Sequence, residues 1–151
     1  MPSKIEVKQV SSPADLEKVF AIRHEVFVAE QNCPPELERA NEEEATHYLA
    51  TVDGEPAGAS RWRKTTDGYK LERFAVLSKF RGYGVGQALV KAVLADLPAD
   101  ASYVYLNSQL PAVTLYEKFG FGKTGPEFTE AGIRHYKMVL SDRSHPNTFP
   151  E

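Results

Sequence analysis

Three glycines, Gly82, Gly84 and Gly86, follow Arg81 and run straight into an apolar stripe of helical spacing, Val85, Leu89, Ala92 and Val93. A helix N-terminus offers backbone N–H groups with no intrahelical partner and a partial positive charge, and glycines let an anion approach them. The chemistry these residues suit is the binding of phosphate. Gly-Tyr-Gly-Val-Gly lacks the G-x-G-x-x-G spacing of a dinucleotide turn, and no G-K-[ST] marks a P-loop.

Charge along the chain is segregated around this turn. Residues 25–55 carry nine acids (Glu25, Glu30, Glu36, Glu38, Glu42, Glu43, Glu44, Asp53, Glu55) against the single base Arg39. Residues 61–91 reverse the sign, with eight bases against Asp67 and Glu72. A polyanionic ligand in the middle of the chain and a cationic one nearer its start would use that pattern.

The elements that must hold these residues follow from local signals. Ile5, Val7 and Val10 predict a short opening strand, and Ser12-Pro13 with Asp15 and Glu17 predicts the start of a helix over residues 13–30, stopped by Pro34-Pro35. The acidic stretch 36–44 reads as a short helix or a loop. Three strand-like runs at 47–52, 57–64 and 69–76, separated by Asp53-Gly54 and Asp67-Gly68, predict an antiparallel meander. The helix after the glycine turn closes at Pro98. A strand at 103–107, a helix at 111–119 capped by Gly120 and a hairpin of 121–128 with 133–140 complete the pattern. Residues 1–140 are expected to form one domain, and 141–151 a flexible tail.

Composition sets the outer limits. A chain of 151 residues, 42% hydrophobic and 26% charged, fits one domain with a real core. Eighteen Lys and Arg against twenty-one Asp and Glu leave a net charge of −3, which argues against a nucleic-acid partner. The lone Cys33 permits neither an intramolecular disulfide nor a multi-cysteine zinc site, and the histidines are spaced too irregularly for a metal centre, so no metal is expected. No targeting segment and no apolar run of about 18 residues is visible, so the expected location is cytoplasmic, with no membrane association.

Arg81-Gly82-Tyr83-Gly84-Val85-Gly86 resembles the pyrophosphate-binding signature [QR]-x-x-G-x-[GA] of the GNAT superfamily of N-acetyltransferases. Upstream, Leu71-Glu72-Arg73-Phe74-Ala75-Val76 looks like that family's fourth strand. Downstream, the run from Gln109 to Phe121, with Tyr116-Glu117-Lys118-Phe119-Gly120-Phe121 at its end, looks like its N-x-x-A-x-x-x-Y-E-K-x-G-F segment. These stretches cover roughly residues 70–122. Gln109 departs from the usual Asn, and its side chain is one methylene longer with the same donors and acceptor. Helix 13–30 and residues 132–138 resemble a branch of small bacterial members.

The resemblance implies an α/β (α+β) domain. Its central sheet is mixed and mostly antiparallel, flanked by helices, and its fourth and fifth strands splay to form an acyl-coenzyme A cleft. It implies acetyl-coenzyme A as co-substrate, held by Arg81, Gly82, Gly84, Val85, Gly86 and Gln87 at its pyrophosphate. Phe74, Ala75 and Val76 would lie along the pantetheine arm, with Gln109 and Tyr116 near the thioester. Tyr116 would serve as general acid or thiolate stabiliser. Glu72 sits where glucosamine-phosphate acetyltransferases of the superfamily also carry Glu, and would act as proton acceptor or ammonium ligand. A period of two along the strand would put Glu72 on one face with Phe74 and Val76.

Arg23, His24, Phe27, Glu30 and Gln31 are the candidates for the acceptor pocket, with Trp62 and His135 as further ones. The acidic stretch suggests a cationic acceptor, such as a polyamine, an amino sugar or a lysine-bearing peptide. The expected reaction is acetyl transfer to a primary amine by direct attack in a ternary complex. Alternatives are a regulatory module that binds acyl-coenzyme A without turnover, a longer acyl chain or an oxygen acceptor. A homodimer is compatible with the family.

Overall fold

The computed structural model describes residues 3–38 and 40–140. The expected tail, 141–151, lies outside them. Seven strands form one sheet: β1 (Ile5–Val10), β2 (Thr46–Val52), β3 (Glu55–Lys64), β4 (Tyr69–Val76), β5 (Val104–Gln109), β6 (Phe121–Glu130) and β7 (Ile133–Leu140). Their spatial order is β1-β2-β3-β4-β5-β7-β6, antiparallel throughout except at β4–β5. The expected meander and closing hairpin are both present.

Helix α1 (Pro13–Arg23) starts as its sequence predicts. Ser12 Oγ accepts from the Asp15 amide at 3.2 Å, and Pro13 occupies the first turn, where its missing N–H costs nothing. The helix continues to Glu30, but over His24–Glu30 it widens into a π-helical segment, a form concentrated at functional sites. The short α2 (Pro35–Glu38) is the helical option for the acidic stretch. On the opposite face of the sheet, α3 (Val85–Asp96) buries Val85, Leu89, Val90, Val93 and Leu94. Helix α4 (Val113–Glu117) follows a single 3₁₀ turn over Leu110–Ala112, which shortens the helix expected at 111–119.

Two packing facts set the site. At Gly58 on β3, a Cβ would come within 2.9 Å of both the Ala75 carbonyl oxygen and Val85 Cγ1, so glycine lets α3 press onto β3 and β4. Strand β4 meets β5 at only three register pairs, Tyr69–Val104, Lys70–Tyr105 and Leu71–Leu106. Beyond Leu71 the two strands part, and a V-shaped cleft opens between them. Among the described residues, no helix is long and apolar enough to cross a membrane.

Candidate active site in the split sheet

The glycine turn has the expected local form. Gly82 and Gly84 take φ of 90° and 91°, left-handed values that side chains with a Cβ adopt only with strain. Gly84 caps α3, and the first bond inside that helix runs from the Ala88 amide to the Gly84 carbonyl at 3.1 Å. The N–H groups of Val85, Gly86 and Gln87 therefore precede any intrahelical acceptor. Arg81 ties the turn to two other elements. Its Nε donates to the Val76 carbonyl at 3.0 Å, and its two terminal nitrogens hold Glu30 at 2.8 and 2.9 Å.

The cleft between β4 and β5 encloses about 360 Å³. Its apex is Leu71 and Leu106, and Phe74, Tyr116 and Ala112 line one wall. Phe74 and Tyr116 meet edge to face, with ring centroids 5.7 Å apart. Burial pushes the Tyr116 phenol well above its ordinary range, so its proton stays on oxygen at any physiological pH.

The period-two expectation for Glu72 does not hold. Between the pairs Ala59–Ala75 and Arg61–Glu72, β4 carries one residue more than β3. The extra residue is accommodated where Arg73 adopts φ of 60°. This β-bulge shifts the phase of the strand. Leu71, Phe74 and Val76 pack with the core under α3, whereas Ala75 joins the smaller core under α1. Glu72 faces the α1 side with Arg61, so the strand presents Glu72 and Phe74 to opposite sides of the sheet.

Glu72 is the hub of a buried charge network. Its Oε1 accepts from Arg61 Nε at 3.2 Å and from Arg63 Nε at 2.6 Å, while Oε2 lies 3.5 Å from Lys70 and 3.9 Å from Arg73. Burial favours the neutral acid, but Arg61, Lys70, Arg63 and Arg73 outweigh it and hold the carboxyl below its usual range. Behind it, Arg61 Nη1 reaches Glu42 at 2.5 Å, and Arg23 binds Glu38 at 2.6 Å and Glu42 at 3.0 Å. Arg23 and Arg61 are wholly buried. Glu38 and Glu42 of the acidic stretch are thus turned inward as counter-charge, whereas Glu43 and Glu44 stay exposed.

Of the acceptor candidates, Phe27 and Gln31 line the cleft. Gln31 exchanges side-chain hydrogen bonds with Gln109 at 2.9 and 3.4 Å, joining the end of the π-helical segment to the end of β5. Arg23 instead holds the charge network, Glu30 holds Arg81, and His24 is exposed outside the cleft lining. Trp62 donates to the Tyr48 hydroxyl at 3.0 Å. His135 does line the cleft. Its Nδ1 lies 2.7 Å from the Ile133 carbonyl, an acceptor, so in the neutral ring Nδ1 carries the proton and Nε2 the lone pair.

Cleft residues that the sequence pattern did not single out include Arg63, Lys70, Cys33, Asn41, Asn107 and Glu130. For two of them a signal was present, because the turn at Asp67-Gly68 sets Arg63 opposite Lys70 and Arg61 opposite Glu72. No group of three or more His, Cys, Asp or Glu side chains placed to hold a metal occurs among the described residues.

A family model described as an acetyltransferase (GNAT) domain matches residues 7–141. The uncharacterised N-acetyltransferase YjcF of Bacillus subtilis (strain 168) is 44% identical over 128 residues, covering 82% of this chain and 91% of its own. Among solved structures, Escherichia coli ElaA superposes with a TM-score of 0.76 at 27% identity, covering 91% of this chain and 100% of that one. An acyl-CoA N-acyltransferase from Pseudomonas aeruginosa gives 0.78 at 25% identity, with 92% and 99% covered. A Bacillus subtilis acetyltransferase solved in complex with CoA shares the fold, with a TM-score of 0.69 at 18% identity and coverage of 91% and 98%.

Proposed function

The chain belongs to the GNAT acetyltransferase family, and on that premise we propose that it transfers the acetyl group of acetyl-coenzyme A to a primary amine by direct attack in a ternary complex. The observation that carries this reading is the parting of β4 and β5 beyond Leu71–Leu106, with Tyr116 in the wall of the gap. Residues 74–76 of β4 have no partner in β5, so their backbone edge is open to an extended arm that bonds like a strand. Gly82, Gly84, Val85, Gly86 and Gln87 would hold the pyrophosphate, with Arg81 fixing the turn. Nothing in the protein lies within 4 Å of a Cβ built on Gly82, so the turn is open to a ligand.

In this reading the neutral amine attacks the thioester carbonyl carbon, a C–N bond forms, and the C–S bond breaks with its electron pair on sulfur. Tyr116 keeps its proton and stabilises the departing thiolate by donating a hydrogen bond. Glu72 stays ionised, and its less encumbered Oε2 orients the acceptor nitrogen. The proton lost by that nitrogen leaves through the open cleft, which His135 also lines with a lone pair on Nε2. A phenol and a carboxylate thus serve opposite faces of the sheet, because the bulge at Arg73 separates Phe74 from Glu72.

The test is acetyl-coenzyme A dependent thiol release against a panel of primary amines, with Tyr116→Phe alongside. Release that requires an amine and drops roughly 10²-fold in kcat in the variant supports the reading. Tight coenzyme binding with no release for any amine would overturn it in favour of a module that only binds.

A further inference from the structure

The charges around Glu72 are unevenly shared. Deep in the protein, two arginines meet two carboxylates: Arg23 and Arg61 against Glu38 and Glu42. Toward the cleft, Arg63 and Lys70 converge on the single carboxylate of Glu72, which Arg61 also contacts, while Arg73 lies 3.9 Å from both Glu72 and Glu38. Register fixes this grouping, since Arg63 pairs with Lys70 and Arg61 with Glu72 across β3 and β4. The side chains of Arg63 and Lys70 are each 17% exposed, and both line the cleft. Glu38 also lines the cleft but is engaged by Arg23 and Arg73, and the other acids near Arg63 and Lys70 do not redress the balance there. Glu44 is 4.0 Å from Arg63 and 58% exposed, where solvent screens it. Glu130 is the hydrogen-bond partner of Asn107, on the β6–β7 side of the cleft.

Half-buried cations that share one carboxylate are served by a second anion, and arginine offers it a planar fork of donors. Resting on the acetyltransferase reading above, we propose that the acceptor is a small amino carboxylate. Its carboxylate sits on Lys70 and Arg63, and its amino group points to Glu72 Oε2. The alternation of cationic and anionic groups along the cleft wall matches a zwitterion rather than a polycation.

The experiment measures thiol release from acetyl-coenzyme A with three matched acceptor series: the amino carboxylates from glycine to 5-aminopentanoate, the plain amines of the same chain lengths, and the corresponding diamines. Butyrate binding to the coenzyme A-loaded protein is followed by calorimetry in parallel. The expected result is at least a tenfold higher kcat/KM for the best amino carboxylate than for its plain amine or diamine. That ratio should collapse in Lys70→Gln through KM and return in Lys70→Arg, with the fold of each variant checked by thermal denaturation. Equal or better use of plain amines or diamines overturns the proposal. If no acceptor releases thiol, the transfer reading fails on its own. The anion subsite then stands if butyrate binds the wild type and at least tenfold more weakly to Lys70→Gln, and falls if butyrate does not bind.

Discussion

Glu72 and Phe74 stand two residues apart on β4 yet face opposite sides of the sheet, because Arg73 between them takes a left-handed backbone and inserts one residue into the strand. The phenyl ring reaches Tyr116, and the carboxylate reaches Arg61 and Arg63. Replacing Arg73 by Gly and by Val separates the backbone from the side chain. Both variants lose the guanidinium, but a β-branched residue resists φ of 60°. Arg73→Val should be about 1–2 kcal/mol less stable than Arg73→Gly in urea denaturation, and it should also lose more activity.

Glu72 also predicts a response to acid. Its folded-state affinity for protons is lower than in the unfolded chain, so it stabilises the fold above the ordinary carboxylate range, and that contribution disappears as pH falls through and below that range. Glu72→Gln keeps an acceptor oxygen but removes the negative charge that Arg61 and Arg63 share, and should cost about 3–5 kcal/mol at neutral pH. The gap between wild type and variant, followed by denaturant unfolding, should shrink steadily below pH 4.5.

His47 gives a second and separable pH effect. It packs edge-on against Phe20, is buried, and has a proton affinity lowered chiefly by that burial. A histidine that must stay neutral to remain folded loses stability when the unfolded chain can be protonated. Stability should therefore drop as pH falls below about 6.5. His47→Gln should flatten that part of the curve between pH 7 and 5, leaving the lower limb due to Glu72.

At the glycine turn, Gly84→Val forces a β-branched side chain into φ of 91° at the cap of α3. Coenzyme A affinity measured by calorimetry should fall at least tenfold, with a stability loss of about 1–2 kcal/mol. A normal affinity would show that the amides of this turn do not hold the coenzyme.

Gln31 and Gln109 hydrogen-bond each other across 78 positions of sequence. Gln31→Ala and Gln109→Ala should weaken stability by similar amounts, and the double variant by less than their sum. The coupling should be of the order of 0.5–1.5 kcal/mol in a double-mutant cycle. Gln109→Asn, shorter by one methylene, should behave like the alanine variant.

Contiguous residues carried their own message. Ser12-Pro13, Asp53-Gly54, Asp67-Gly68 and the glycines at 82 and 84 act through backbone conformations set within a few residues, so the helix start, the hairpins and the glycine turn were legible in order. The family resemblance carried by strand 69–76, the glycine turn and the tyrosine segment implied a split sheet, which the three-pair contact of β4 with β5 bears out. The other side of the cleft was decided only in three dimensions. It gathers side chains from the segment after α1, from β3, β4 and β5, and from the β6–β7 hairpin, whose proximity depends on sheet order rather than local preference. Nothing in the type of residue 73 announces a left-handed arginine, and that one φ angle inverts the facing of every later residue in the strand. The same holds for the acidic stretch. Its charge looked available for a ligand until the fold closed Glu38 and Glu42 over Arg23 and Arg61, because buried guanidinium groups must be neutralised before anything else is bound.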